Sequence, residues 1–437
     1  MNAPDTQRGR HLVAKASLPA TRGGLFARLA HGAEDRFFAR IIDRIDRGLE
    51  AGTIEGHLPD GSAVILGGRA PGPVAEVRLN NWRALTRLVR GGSIGWYEGW
   101  AAGDWESPDP VPVFDLFMRN RTSLGTVGRA SGVAKLAGKV AHWFNRNNKA
   151  KARENIAAHY DLGNDFYAAW LDPTMTYSSA VFESGDDLEA AQHRKIGLIL
   201  DRLNMKPGDN LLEIGCGWGG LAEAALARSA IHYHGITLSP EQKAYADARL
   251  SGKPGWAITL TDYRDVTGQY DAIASVEMVE AVGMEYWPSY LDCIARNLTP
   301  GGRAALQYIR IEDDIFESYA DGADFIQRYI FPGGMLLSES RFRALAEARG
   351  LTWCDQQDYG LHYAETLRLW RERFDAAVEQ GRLPSGFDAK FVALWRYYLM
   401  YCEGGFRGGG INVAQVTLQK DADTSTVALS LSKGASQ

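Results

Sequence analysis

Cysteine is scarce and scattered: Cys216, Cys293, Cys354 and Cys402 are far apart and form no C-x-x-C pair. That spacing excludes a zinc knuckle and a disulfide framework, and the four thiols read as core residues. No uninterrupted apolar run approaches the ~18 residues of a membrane-spanning helix, and the first residues are polar and charged, without the apolar core of a secretory signal. The chain therefore reads as cytoplasmic. His232 and His234 share one side of a strand, but no third ligand accompanies them, so no metal is assigned. Acidic residues are missing between positions 119 and 153, where nine basic residues fall.

What is present is a globular composition, 45% apolar and 23% charged, in 437 residues, enough for two domains. The net charge of −5 hides a division. Residues 1–153 hold 23 Lys and Arg against 14 Asp and Glu, and the remainder holds 25 against 39. Within the basic stretch, Val133, Leu136, Val140, Trp143 and Phe144 recur at nearly helical spacing among Lys135, Lys139 and Arg146. This is the pattern of a helix lying on an anionic phospholipid bilayer, where each basic residue contributes about 1 kcal/mol. A solvated basic linker is the plainer alternative. The acidic remainder would be repelled by nucleic acid, which argues against such a partner.

Periodicity divides the chain further. Residues 1–20 read as a disordered tail, 21–120 as a smaller α+β domain, 121–153 as the basic amphipathic linker, 154–422 as an α/β domain and 423–437 as a second tail. In the first domain, Phe37, Ile41, Ile42 and Ile45 share one face of a helix from Glu34 to Leu49. Strands follow at Thr53 to Leu58, Ser62 to Leu66 and Val74 to Leu79. The aromatic and glycine cluster Gly95-Trp96-Tyr97-Glu98-Gly99-Trp100, with Trp105, reads as core, with contact to a lipid chain as the alternative. In the larger domain, strands are expected at Asn210 to Gly215, His232 to Thr237, Ala257 to Leu260, Ala272 to Val276 and Gly302 to Tyr308. Ile411 to Gln419 is expected to close the sheet as an antiparallel edge, and residues 310–375 with the aromatic helix around Phe391 to Tyr401 to cover the substrate.

The run Leu211-Leu212-Glu213-Ile214-Gly215-Cys216-Gly217-Trp218-Gly219 describes a strand entering a glycine turn. Its glycines remove the Cβ atoms that would keep a ligand off the backbone. A dinucleotide site would end the next strand in an acidic residue for the ribose. Here that strand runs into Thr237-Leu238-Ser239-Pro240-Glu241-Gln242, with no carboxylate at its end. The third strand leads to Asp262-Tyr263-Arg264, a carboxylate for an adenine amino group and a ring beside the purine. The pattern resembles the first motif of a Rossmann-like, class I methyltransferase sheet binding S-adenosylmethionine (SAM).

Further runs carry a more specific resemblance. They are His159 to Tyr167, Leu171-Asp172-Pro173, Met175 to Ala180, Gly235 to Ser239, Asp262 to Asp265, Ser275 to Gly283, Tyr329 to Gly334, and Tyr363 before Thr366-Leu367. Together they resemble the cyclopropane-fatty-acyl-phospholipid synthase family over roughly residues 155 to 420. The resemblance implies methyl transfer from SAM to the cis double bond of an unsaturated phospholipid acyl chain, with a bound bicarbonate removing the proton that closes the ring. It assigns the bicarbonate site to Ser179, Glu280, Gln307, Ile309 and Tyr363. It assigns the SAM site to Tyr177 and Ser178 at the amino-acid end, Glu213, Gly215 and Gly217 at the turn, Thr237 and Gln242 near the ribose, and Asp262 and Tyr263 at adenine. Thr237 serves equally as a cap for the following helix. The chain departs from the pattern at Ser179, where cysteine is common, and at Gln307 and Ala281, where histidine is common. A glutamine still donates a hydrogen bond but relays no proton.

Methylene- or methyl-branched fatty acids are the nearest alternative products. A non-catalytic peripheral lipid-binding protein and a soluble small-molecule methyltransferase are alternatives of other kinds. A homodimer is compatible with the sequence, which does not select it. The expected setting is the inner face of the membrane, held by charge. Attraction of that kind is screened within about 8 Å at physiological salt. Changing Lys135, Lys139 and Arg146 to Gln is expected to weaken co-sedimentation with anionic vesicles severalfold and leave SAM binding intact; equal wild-type binding to neutral vesicles would reduce the segment to a linker.

Overall fold

Burial alternates strictly along Val74–Leu79: Ala75, Val77 and Leu79 point into the core while Val74, Glu76 and Arg78 face water. A one-faced sheet follows from that pattern. The computed structural model of the chain describes residues 31–125 and 162–422. Both expected tails and nearly all of the basic segment lie outside the described residues.

The first domain runs through α1 (His31–Gly48), β1 (Thr53–His57), β2 (Ala63–Gly67), β3 (Val74–Leu79), α2 (Arg83–Ala101), β4 (Trp105–Glu106) and α3 (Val111–Arg119). Its sheet has the order β2-β1-β3-β4, with β1 antiparallel to β2 and parallel to β3. The expected helix and all three expected strands are present. The aromatic cluster is core: Trp96 and Trp105 stack at 4.1 Å, and the Trp105 indole N–H donates to the Trp96 carbonyl at 2.8 Å.

The second domain holds α4 (Leu188–Leu203), β5 (Asn210–Ile214), α5 (Gly220–Arg228), β6 (His232–Thr237), α6 (Pro240–Leu250), β7 (Trp256–Leu260), β8 (Tyr270–Val276), α7 (Trp287–Asn297), β9 (Leu298–Ile311), β10 (Leu337–Ser338), β11 (Leu351–Asp358), α8 (Gly360–Glu379), α9 (Ala389–Arg407) and β12 (Ile411–Lys420). The strands follow the order β11-β12-β9-β8-β5-β6-β7, with β10 pairing on β9. Only β12 runs against its neighbours. The sheet is the expected Rossmann-like one, with one correction. Ile411 to Gln419 was expected at the edge, yet β12 is interior because β11 adds outside it. Part of the segment expected as substrate cover is therefore sheet. Among the described residues no helix is long and apolar enough to cross a membrane.

The two domains share one core. Tyr97 of α2 packs within 5 Å of Phe325, Tyr329 and Tyr397, and the Tyr329 hydroxyl donates to Glu98 at 3.2 Å. α9 meets α3 where glycine permits contact of backbones: a Cβ on Gly404 would lie 2.4 Å from Phe114 Cβ and 2.7 Å from the Val111 carbonyl oxygen. Gly404→Ala is expected to lower stability by about 1–3 kcal/mol through overpacking at this junction. Gly197→Ala, in α4 with nothing within 4 Å of the new Cβ, is expected to gain about 0.5–1 kcal/mol. Urea unfolding of both variants checks the contrast.

Candidate active site

Ligands of open α/β sheets bind beyond the carboxyl ends of the strands, and a cavity of about 180 Å³ opens there, at the ends of β5, β6, β7 and β8. Gly215 and Cys216 donate their N–H groups to the Ile236 carbonyl, each at 3.0 Å, which folds the turn back on the sheet. Gly215, Gly217 and Gly219 all have positive φ, +86°, +51° and +82°. A Cβ on Gly217 would meet no protein atom within 4 Å, and the residue lines the cavity. Its backbone is therefore open to a ligand. The side chain of no residue caps α5, whose first N–H groups follow directly from this turn.

Of the residues assigned to SAM, Tyr177, Ser178, Glu213, Gly215, Gly217, Thr237, Gln242 and Tyr263 share this wall. Asp262 stands behind it, with both carboxylate oxygens on the Arg264 guanidinium at 2.8 and 2.6 Å. Thr237 donates to the Gln242 side-chain carbonyl at 2.8 Å and accepts from Ser239 N–H. Ser239, not Thr237, caps α6. Tyr177 is wedged against Tyr167, Trp170 and Trp370, and its hydroxyl meets that of Tyr398 at 2.8 Å. His234 engages Tyr270 and Thr259 with its two ring nitrogens.

The ionisable groups on this wall are buried. Lys195 of α4, fully buried, donates to Ser178 Oγ at 2.6 Å. Burial brings its ammonium down to about 8, against the pull of Glu277, Asp172 and Glu213. Glu213 accepts from the Tyr233 hydroxyl at 2.5 Å, and burial pushes its carboxyl up to about 7.

The residues assigned to bicarbonate divide into two groups. Ser179 N–H at 2.8 Å, Gln307 Nε2 at 2.7 Å and the Tyr363 hydroxyl at 2.7 Å converge, but on the carboxylate of Glu277. Glu280 instead accepts from Ile309 N–H through one oxygen, while its other oxygen is buried without a hydrogen-bond partner. Burial, and then the charge of Glu277, raise the Glu280 carboxyl to about 8, so it is largely neutral at pH 7. Bicarbonate therefore does not fit the donors as they stand: the three that would hold it already hold a carboxylate. Sequence reasoning missed Glu277 and Lys195. The available signal was the position of Glu277, which ends the apolar strand Tyr270–Val276 where such sheets bind ligands.

Comparison with known proteins agrees with this geometry. Residues 147–416, more than half of the chain, match the family model described as mycolic acid cyclopropane synthetase. The chain is 36% identical to a tuberculostearic acid methyltransferase of Mycobacterium tuberculosis, over 93% of this chain and 97% of that one. It is 33% identical to the cyclopropane-fatty-acyl-phospholipid synthase of Escherichia coli K12, over 85% and 94%. Among solved structures, a mycolic acid cyclopropane synthase complexed with SAH and CTAB is similar at a TM-score of 0.58 and 32% identity, covering 61% of this chain and 98% of that one.

Gly217→Val would put a branched side chain where the cavity meets the backbone, at a φ of +51° that costs an L residue roughly 1–2 kcal/mol. SAM binding by calorimetry is expected to fall below detection in protein that circular dichroism shows to be folded. Unchanged affinity would remove the turn from the cofactor site.

Proposed function

The chain belongs to the mycolic acid cyclopropane synthetase family and is a SAM-dependent methyltransferase, and from that premise we propose that it methylates the cis double bond of unsaturated acyl chains in membrane phospholipids. The observation that carries this reading is the joining of two features in the lining of one cavity: the open glycine turn, and a buried carboxylate, Glu277, with the aromatic residues Tyr177, Trp218 and Tyr263. Bound SAM supplies an electrophilic methyl group on a sulfonium. An alkene is a weak nucleophile, so the residues must hold it dry and aligned. Tyr177, Trp218 and Tyr263 line the wall, and aromatic faces favour a desolvated cation by about 2 kcal/mol.

When the π pair of the alkene forms the new carbon–carbon bond, positive charge is left on the adjacent chain carbon. Loss of a proton from the added methyl lets its C–H electron pair close a cyclopropane, which is the product proposed. A methylene branch is the second reading, favoured by the identity to a tuberculostearic acid methyltransferase along nearly the whole chain. It requires a hydride shift before the proton leaves. A saturated methyl branch would require a further hydride donor, which neither reading supplies. Bicarbonate as the proton acceptor, implied by the resemblance, is not carried into this reading because its donors end on Glu277. Approach to bilayer acyl chains from the cytoplasmic face is proposed to rest on the basic segment.

The test is incubation with SAM and phospholipid vesicles carrying cis-unsaturated chains, with NMR and mass analysis of the released fatty acids. Chains one CH2 heavier with cyclopropyl proton signals are expected, and vinylidene signals would select the methylene reading. SAM consumption with saturated chains alone would overturn both.

A further inference from the structure

We propose that Glu277 is the catalytic base of this enzyme, a carboxylate built into the chain that receives the proton which an external anion would otherwise have to remove. The proposal rests on the methyl transfer to an alkene argued above and identifies the group that completes it.

Position is the first ground. Glu277 lies on the cavity wall, whereas Ser179, Glu280, Gln307, Ile309 and Tyr363 do not. Of the neighbouring carboxylates Glu277 and Glu280, Glu277 is thus the one on the cavity, and Ser179, Gln307 and Tyr363 support it with hydrogen bonds. The second ground is the donor set. An N–H, an amide and a phenol, drawn from residues more than 180 positions apart in sequence at the extremes, aim three hydrogen bonds of 2.7–2.8 Å at one carboxylate. Ser179 and Gln307 both donate to Oε1 and Tyr363 to Oε2, so the donors fix orientation and leave one acceptor site, on Oε2, because a carboxylate accepts about four bonds.

Backbone conformation is the third. Glu277 has φ +48°, in the left-handed region that favours glycine. The Glu277 N–H, bonded at 2.7 Å to the Gln307 carbonyl, helps to hold it there. A residue kept in so sparse a region is over-determined by its surroundings, as is common at active sites. Electrostatics is the fourth. Burial raises the Glu277 carboxyl above the ordinary range, while Lys195 and the three donors oppose the rise, which suits a group that must be charged before the reaction and protonated after it.

The step balances. The sulfonium–methyl bond breaks as the alkene π pair forms the carbon–carbon bond, leaving the sulfide neutral and the chain cationic. A C–H bond of the new methyl then breaks; its electron pair closes the ring, and the proton bonds to a Glu277 oxygen. Water takes that proton after product leaves. No oxidant or reductant is needed. The preference for a built-in base also accounts for Gln307, since an amide that orients a carboxylate has no proton to relay.

The experiment compares wild type, Glu277→Gln and Glu277→Gly in bicarbonate-depleted buffer and in buffer with bicarbonate or formate added, using SAM and cis-unsaturated phospholipid vesicles. Wild-type turnover is expected to be the same in all three buffers. Glu277→Gln is expected to bind SAM normally and lose about 10²- to 10⁴-fold in turnover, the range of acid–base assistance. Glu277→Gly relieves the positive φ, leaves the three donors facing a carboxylate-sized space, and is expected to regain at least tenfold when bicarbonate or formate is added. A purely structural role for Glu277 would not give that rescue. Wild type that slows on bicarbonate depletion, or a Glu277→Gln variant as active as wild type, would overturn the proposal and leave the substrate reading standing. Wild type that methylates no unsaturated chain would overturn both.

Discussion

A buried negative charge has to be compensated, and much of the catalytic domain is arranged around one. Moving a carboxylate out of water costs several kcal/mol even after relaxation, so it persists only with partners. Glu277 has three donors and the nearby Lys195 ammonium. These come from the loop before α4, from α4 itself, from β9 and from α8, so the charge ties together segments that the sheet alone does not connect. Glu280, without such a donor set, is pushed toward its neutral form by burial and by the charge of Glu277. Burial raises both of these carboxyls, three residues apart, and at Glu277 three hydrogen bonds and Lys195 oppose the rise.

The donors are themselves oriented. Gln307 lies opposite Gln415 across the β9–β12 pairing, and Gln415 Nε2 donates to Gln307 Oε1 at 3.0 Å, which turns the Gln307 amide nitrogen toward Glu277. Arg202 in turn donates to Gln415 Oε1 at 3.3 Å. The polar line from Arg202 to Glu277 has one direction only, since an arginine cannot accept. Both glutamines are almost fully buried. A chain of amides inside a sheet is sustainable because every member has a partner.

Much of the fold was legible in sequence for a simple reason. Strands β5 and β8 are buried on both faces and read as largely apolar runs, and the glycine turn after β5 has few other uses. β11 was not legible. Leu-Thr-Trp-Cys-Asp-Gln-Gln-Asp has little apolar alternation, its pairing with β12 is interrupted between Cys354 and Gln357, and Asp355 has φ +52°. An edge strand can tolerate all of this, and a reading based on hydrophobic period cannot detect it. The residues around the base could be named from a resemblance, but not the group they serve. Glu277 and Glu280 occur in one short motif, and only the convergence of positions 179, 307 and 363 in space separates them.

The interior place of β12 has a consequence for synthesis. Proteins emerge from the ribosome amino-terminal end first, at ~5–20 residues per second, and domains fold as they become available. The glycine turn and strands β5 to β8 are complete by residue 276, and every residue lining the cavity beside them precedes residue 282. Gln415 comes more than 130 residues later, in the last strand to enter the sheet. A nascent chain thus carries every residue that lines the cavity before the glutamine that aims the Gln307 amide is available, and the order of emergence delays a fully oriented Glu277 until the domain is nearly finished.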